Sequence, residues 1–202
     1  MHISEGVLSW PVLAAGWAGA VAGCWLGLRR MDHEQVMSVG LLAAAFFVAS
    51  LIHAPIGPAS VHLVLNGLLG LLLGWAAFPA ILAGLALQSL LFQYGGLTVL
   101  GVNTLNMALP AVFCHYCFRG LSRRAGWRRW LGGFGAGALA IALAGVFTAA
   151  SLAFSDEGFV TAAKALFLAH LPVMAVEGII TAAAVSFLAR VQPDMLRLSG
   201  PR

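Results

Sequence analysis

Apolar residues run in seven blocks along this chain, at about 10–28, 36–53, 59–74, 76–93, 98–119, 130–154 and 160–190. Polar and charged residues gather in the short gaps between them. Most blocks reach the roughly 20 residues that carry a helix across the hydrocarbon core of a bilayer. The pattern predicts an all-α polytopic membrane bundle of about seven transmembrane helices. It forms one membrane domain, with a segment 1–9 before the bundle, helices over 10–190 and a tail over 191–202. The third and fourth blocks are short and meet at Gly74-Trp75, so six or seven crossings fit, one of them partly re-entrant.

Composition agrees. Hydrophobic residues make up 61% and charged residues 9%, where soluble domains carry about a quarter charged residues. The 24 glycines allow helices to approach closely in lipid. The net charge of +4 does not point to nucleic acid, because the charges sit between apolar spans. Cys24, Cys114 and Cys117 lie in or beside those spans and form no disulfide framework. Val21-Ala22-Gly23-Cys24 is similar to a lipoprotein cleavage site, but residues 1–28 contain no Lys or Arg. A signal peptide begins with a positive region, so the first block is expected to stay as a helix.

The distribution of positive charge predicts orientation. Ten of the eleven Lys and Arg follow the first, fifth and seventh blocks: Arg29 and Arg30; Arg119, Arg123, Arg124, Arg128 and Arg129; Arg190, Arg197 and Arg202. Only Lys164 lies elsewhere. Seven crossings bring all three clusters to the cytoplasmic side, with the N-terminus outside and the C-terminus inside. The outer face then collects Met1, His2, Glu5, His53, His62, Asp156 and Glu157. The five-arginine loop with Trp127 and Trp130 sits at the inner surface, against anionic lipid or a cytoplasmic partner.

The first two residues carry candidate chemistry. Histidine is not small, so methionine aminopeptidase is expected to leave Met1 in place. A free amine followed by His2 offers three nitrogens to one metal: the Met1 amine, the His2 backbone nitrogen and the His2 imidazole Nδ1. They close five- and six-membered rings in one plane, and a fourth donor completes a square. Square-planar nitrogen sites favour Ni(II) or Cu(II). Two residues compete to be that fourth donor. His62 stands at the start of the third block, where Ser60 is placed to cap the helix. His53 stands at the end of the second, just before Pro55 and Pro58.

Four stretches resemble one family. "MHISEGVL", "IGPASVHLVLNGLLGLLLG", "LQSLLFQYGGLTVLGVNTLNMALPA" and "HLPVMAVEGIITA" are similar, in this order, to the CbiM/NikM family. Its members are the substrate-specific membrane components of energy-coupling-factor transporters for cobalt and nickel. The resemblance implies seven helices with the N-terminal segment tucked into the bundle. It implies a transported Ni2+ or Co2+ held by Met1, His2 and His62, with no organic cofactor. Asn103 and Asn106 would lie near the pocket, with Ser60, Asn66 and His53 as further candidate lining residues. His170 and Glu177, two helical turns apart, would hold the last span in register or serve coupling. The partners implied are a transmembrane coupling subunit and two ATP-binding-cassette ATPases in the prokaryotic inner membrane. The chain itself carries no Walker A motif. Ala14, Ala18 and Ala22 make a small-residue stripe suited to close packing, either on the coupling subunit or within this protein. Ser4 departs from the family's pattern. The end at Arg202 leaves no room for the fused accessory domain of some members, so a small accessory subunit stays open.

Three other classes fit less well. Bis-histidine haem ligation needs paired histidines at one depth, and His53, His62, His115 and His170 fall at unequal depths along their spans. An intramembrane hydrolase needs a Ser-His or Asp-Asp arrangement that the spans lack. A stand-alone metal permease remains compatible with the residues. "CHYC" at Cys114–Cys117 is followed by Phe118, so it is not a haem attachment site; these residues are interior or a metal relay on the release side.

Overall fold

A computed structural model describes residues 3–56, 59–156, 158, 168 and 170–196, without the side chains of Glu34, 53–56 and 59–62. Its helices are α1 (Trp10–Arg29), α2 (His33–Ser50), α3 (Asn66–Leu73), α4 (Ala77–Phe92), α5 (Leu100–Ser122), α6 (Trp127–Ala153) and α7 (Leu171–Val191). Short 3-10 turns follow at Gly74–Ala76 and Pro193–Leu196. Helix α1 begins with Pro11 in its first turn, where a missing N–H costs nothing, and ends on Arg29, which complements the carbonyl end of the helix dipole.

Helix α5 is the axis of the bundle: α1, α3, α4 and α6 all pack on it. It has the length to cross a membrane but carries Asn103, Thr104, Asn106, Pro110 and His115 inside the bundle. Helix α7 packs on α6 at glycines. A Cβ at Gly133 would stand 2.6 Å from the Ala182 Cα, and one at Gly137 would stand 2.5 Å from the Glu177 carbonyl oxygen. Only glycine lets these two backbones approach so closely.

The third apolar block is not a crossing helix. Residues His53–Ile56 (β1) and Ala59–His62 (β2) form an antiparallel hairpin. Pro55 and Pro58 are the reason, since neither can continue a helix. Ser60 pairs with Pro55 across the hairpin and does not cap a helix. Helix α3 starts only at Asn66, and its eight residues rise about 12 Å, well short of a bilayer. Contacts along it run Asn66 to Met107, Gly70 to Ala111 and Gly74 to His115, so α3 is parallel to α5. Helix α1 runs with α5, Gly16 against Val102 and Gly19 against Leu105, and α4 runs the other way, with Gly27 of α1 against Trp75 and Gly23 against Phe78. The chain reverses at Gly74, whose φ of +57° suits glycine.

The exterior is apolar all round. Val21, Trp25, Leu90, Leu91, Phe113, Ile179 and Phe187 are exposed, while Asn66, Gln88, Thr104, Glu177 and Thr181 are buried. In water this arrangement would leave an aggregation-prone surface; in lipid it solvates every helix. Four stretches among the described residues are long and apolar enough, by length and composition, to cross a membrane: Trp10–Arg29, Trp127–Ala153, Leu171–Val191 and Asn66–Phe92, the last divided by the turn at Gly74 into α3 and α4. The molecule is a helical membrane protein. The first part of the last predicted span, 160–170, lies largely outside the described residues, as do Lys164, Glu157 and the 197–202 tail.

Candidate metal centre

Met1 and His2 lie outside the described residues, but the segment that follows them is held at every step. Ile3 is buried. Its N–H donates to Asn103 Oδ1 at 3.1 Å, and Asn103 Nδ2 donates to the Ile3 carbonyl at 3.2 Å. One side chain thus satisfies both backbone groups of a buried residue. Two residues on, the Glu5 N–H donates to the Gly95 carbonyl at 3.2 Å. The Glu5 carboxylate accepts from the Thr98 N–H at 3.0 Å and the Thr98 hydroxyl at 3.3 Å. Glycine is required at Gly96, because the Glu5 side chain occupies the space of a Cβ there. Ile3 and Leu8 pack with Val99 and Val102 in a small apolar cluster. Ser9 N–H closes the segment on Ser155 Oγ at 3.2 Å.

The hairpin places the two rival histidines opposite each other. His53 and His62 are register partners at its open end, the end nearest α2 and α3. Their side chains lie outside the described part of the structure. From β2 the chain passes through Leu63, Val64 and Leu65 into α3. Leu65 takes a left-handed φ of +55°, which non-glycine residues adopt only under local constraint. The constraint is Glu177 of α7, fully buried. Its carboxylate accepts the N–H groups of Val64 and Leu65, with Leu65 at 3.1 Å and 3.0 Å from the two oxygens. The uncapped start of α3 therefore finds its acceptor 112 residues away. Glu177 thus holds the start of α3. His170 is buried at the head of α7, roughly 10 Å of helix axis from Glu177.

Both anchors converge on α5. Asn103 holds Ile3, and four residues later the Met107 carbonyl accepts Asn66 Nδ2 at 3.3 Å. Four residues of helix rise about 6 Å. The chain leaving His2 and the chain leaving His62 are thus pinned at nearly one level of the bundle. Asn106 turns instead to α6, donating from Nδ2 to Ser151 Oγ at 3.2 Å. Asn66 Oδ1 has no hydrogen-bond partner among the described residues, and neither do the Thr104 and Thr181 hydroxyls.

Sequence reasoning passed over Gln88. It is fully buried on α4, with both amide atoms unpartnered among the described residues. A glutamine inside "LALQSLLF" was the available signal, since an amide in a span needs a reason. His115 is committed elsewhere: Nδ1 faces the Gly70 carbonyl at 2.9 Å and Nε2 faces Arg119 at 3.4 Å. Cys114 is buried and Cys117 exposed. Among the described residues no three His, Cys, Asp or Glu side chains are grouped to hold a metal. Ala14, Ala18 and Ala22 are exposed on α1, while Gly16, Ala20, Gly23 and Gly27 form its packed face.

The architecture defines a helical membrane protein whose N-terminal segment folds back onto the bundle. Residues 2–195 match the CbiM family, described as the cobalt uptake substrate-specific transmembrane region. The chain belongs to this family. It is 44% identical over 199 residues to a protein of Haemophilus influenzae named for metal transport, an alignment covering 97% of each chain. It is 33% identical over 203 residues to a fused nickel transport protein of Archaeoglobus fulgidus, covering 97% of this chain and 68% of that one. A crystal structure of a transition metal transporter superposes with a TM-score of 0.80 at 28% identity, covering 99% of this chain and all of the other.

Proposed function

We propose that this chain is the metal-binding membrane component of an ATP-driven energy-coupling-factor transporter for nickel or cobalt uptake. Met1 supplies its amine, His2 its backbone nitrogen and imidazole, and His62 the fourth donor. The observation that carries the reading is the double hydrogen bond between Asn103 and the Ile3 backbone. It fixes the chain one residue beyond the chelate, so the chelate need not be ordered by the metal. Pre-ordering of this kind lowers the entropic cost of binding. Glu177 does the same for the turn after His62.

Each nitrogen must lose its proton or hold a free lone pair to bind. The metal drives deprotonation of the His2 amide, and reprotonation favours release. Asn66 and Gln88 carry unspent amide atoms in the bundle and are candidates to orient the ligands. Ser60, Asn106 and His53 complete the candidate pocket. The N-terminus faces outward and the positive ends of α1, α5 and α7 face the cytoplasm of a prokaryote, with α3 counting as a short inward leg of seven. The exposed Ala14, Ala18 and Ala22 stripe meets the coupling subunit, and two ATPases act through that subunit. A small accessory subunit completes the assembly where the transporter requires one. The test is metal uptake into vesicles with and without the coupling and ATPase subunits. ATP-dependent uptake supports the reading, and equal uptake by this chain alone makes it a permease.

A further inference from the structure

An open cleft of about 520 Å³ lies between α6 and α7 at the end where α6 begins and α7 finishes. Trp127, Arg129 and Trp130 line one wall from α6; Ser186 and Arg190 line the other from α7. No carboxylate among the described residues lines it. Arg129 donates its Nε to the Ser122 carbonyl at 3.3 Å, which leaves its terminal nitrogens for other acceptors. Arg190 makes no hydrogen bond or ion pair among the described residues. Two guanidinium groups line one concavity with no carboxylate among the described residues to neutralise them, so an anion is the complementary occupant.

The surroundings select the kind of anion. Trp127 and Trp130 are both exposed, as tryptophans are at the level of lipid headgroups. Leu131 lines the cleft and is exposed, and Phe187 and Val191, the residues after Ser186 and Arg190 on α7, are exposed as well. They offer an apolar surface to an acyl chain while the arginines and the Ser186 hydroxyl face the head. A free anion would use the arginines and leave that apolar rim unused. We propose that the cleft binds the phosphate headgroup of an anionic glycerophospholipid, with Arg129 and Arg190 on the phosphate. The site is independent of the metal centre. It ties the α6–α7 pair to one membrane surface through a discrete lipid and not only through diffuse attraction to it.

The test is lipid binding to the full purified chain, read by native mass spectrometry after titration with phosphatidylglycerol, phosphatidylcholine or glycerol 3-phosphate. The parent protein binds phosphatidylglycerol in preference to the other two. The double variant Arg129→Gln/Arg190→Gln weakens that binding about tenfold or more. The variant Arg124→Gln/Arg128→Gln removes the same charge outside the cleft and changes it less than about twofold. Arg190→Lys, which keeps the charge, retains part of the affinity. Metal binding by each variant reports that it is folded. Equal loss in the two double variants would overturn the proposal, because the attraction would then be diffuse. Equal binding of glycerol 3-phosphate would overturn it in favour of a free-anion site. If the cleft variants keep lipid binding but lose the coupling subunit, the cleft is a protein-docking surface and the proposal falls.

Discussion

Asn103 and Ile3 exchange two hydrogen bonds, N–H to Oδ1 at 3.1 Å and Nδ2–H to carbonyl at 3.2 Å, across 100 residues of sequence. The pairing copies one rung of a β-ladder with an amide side chain in place of a strand. It lets an irregular segment enter a membrane bundle without leaving backbone groups unpaired. Replacing Asn103 by Leu removes both bonds and leaves a buried donor and acceptor unpaired, at about 1–3 kcal/mol each. Metal affinity is expected to fall roughly 10- to 100-fold, measured calorimetrically, while the helical circular dichroism of the bundle is kept.

Glu177 is the second anchor. Glu177→Gln keeps the shape but puts an NH2 group where a carboxylate oxygen accepts the Leu65 N–H. The expected cost is about 1–3 kcal/mol, seen as a lower midpoint of thermal unfolding in detergent. The same variant weakens metal binding, because the turn after His62 loses its fixed conformation. Glu177→Gln with an unchanged midpoint and unchanged affinity would remove the carboxylate from the account.

His53 and His62 stand opposite each other in the hairpin, and one of them is expected to complete the metal site. His62→Ala is expected to reduce nickel or cobalt affinity by about 100-fold or more, on the order of losing one ligand from four. His53→Ala is expected to change it by less than about tenfold, in line with a neighbouring role. Reversal of the two results would make His53 the ligand.

These anchors were only partly legible in the sequence. The runs over Trp10–Arg29, Trp127–Ala153 and Leu171–Val191 are long and apolar enough to read directly. The hairpin was hidden because its strands are four residues each, too short to show alternation between two apolar blocks. Asn103 drew attention through its place in a family block, but its partner did not, because a contact 100 residues away leaves no local trace. Glu177 was read with His170 as holding the last span in register or serving coupling, and its long-range partners left no trace in the sequence. It serves the start of α3, because a helix that begins inside a bundle needs an acceptor and finds one on its neighbour.

The exposed Ala14, Ala18 and Ala22 stripe predicts a defect in assembly and not in binding. Ala18→Trp fills the stripe while leaving the packed glycine face of α1 untouched. The variant is expected to bind metal within about twofold of the parent and to lose co-purification with the coupling subunit. Retained co-purification would assign that contact to another face.

Chelation through the amine and the His2 amide predicts the direction of pH dependence. The free amine has a pKa near 8, so at pH 6 to 7 it must release a proton to bind. Affinity should rise about tenfold per pH unit for each proton released. Titrations in buffers of different ionisation enthalpy count those protons.

The most direct measurement is calorimetric titration of Ni(II) and Co(II) into the purified chain and into a His2→Gln variant. The substitution keeps a large second residue, and with it Met1 and its amine, but removes the imidazole donor. The account predicts one metal per chain for the parent and no measurable binding for His2→Gln. Equal binding by both would contradict it and move the site away from the N-terminus.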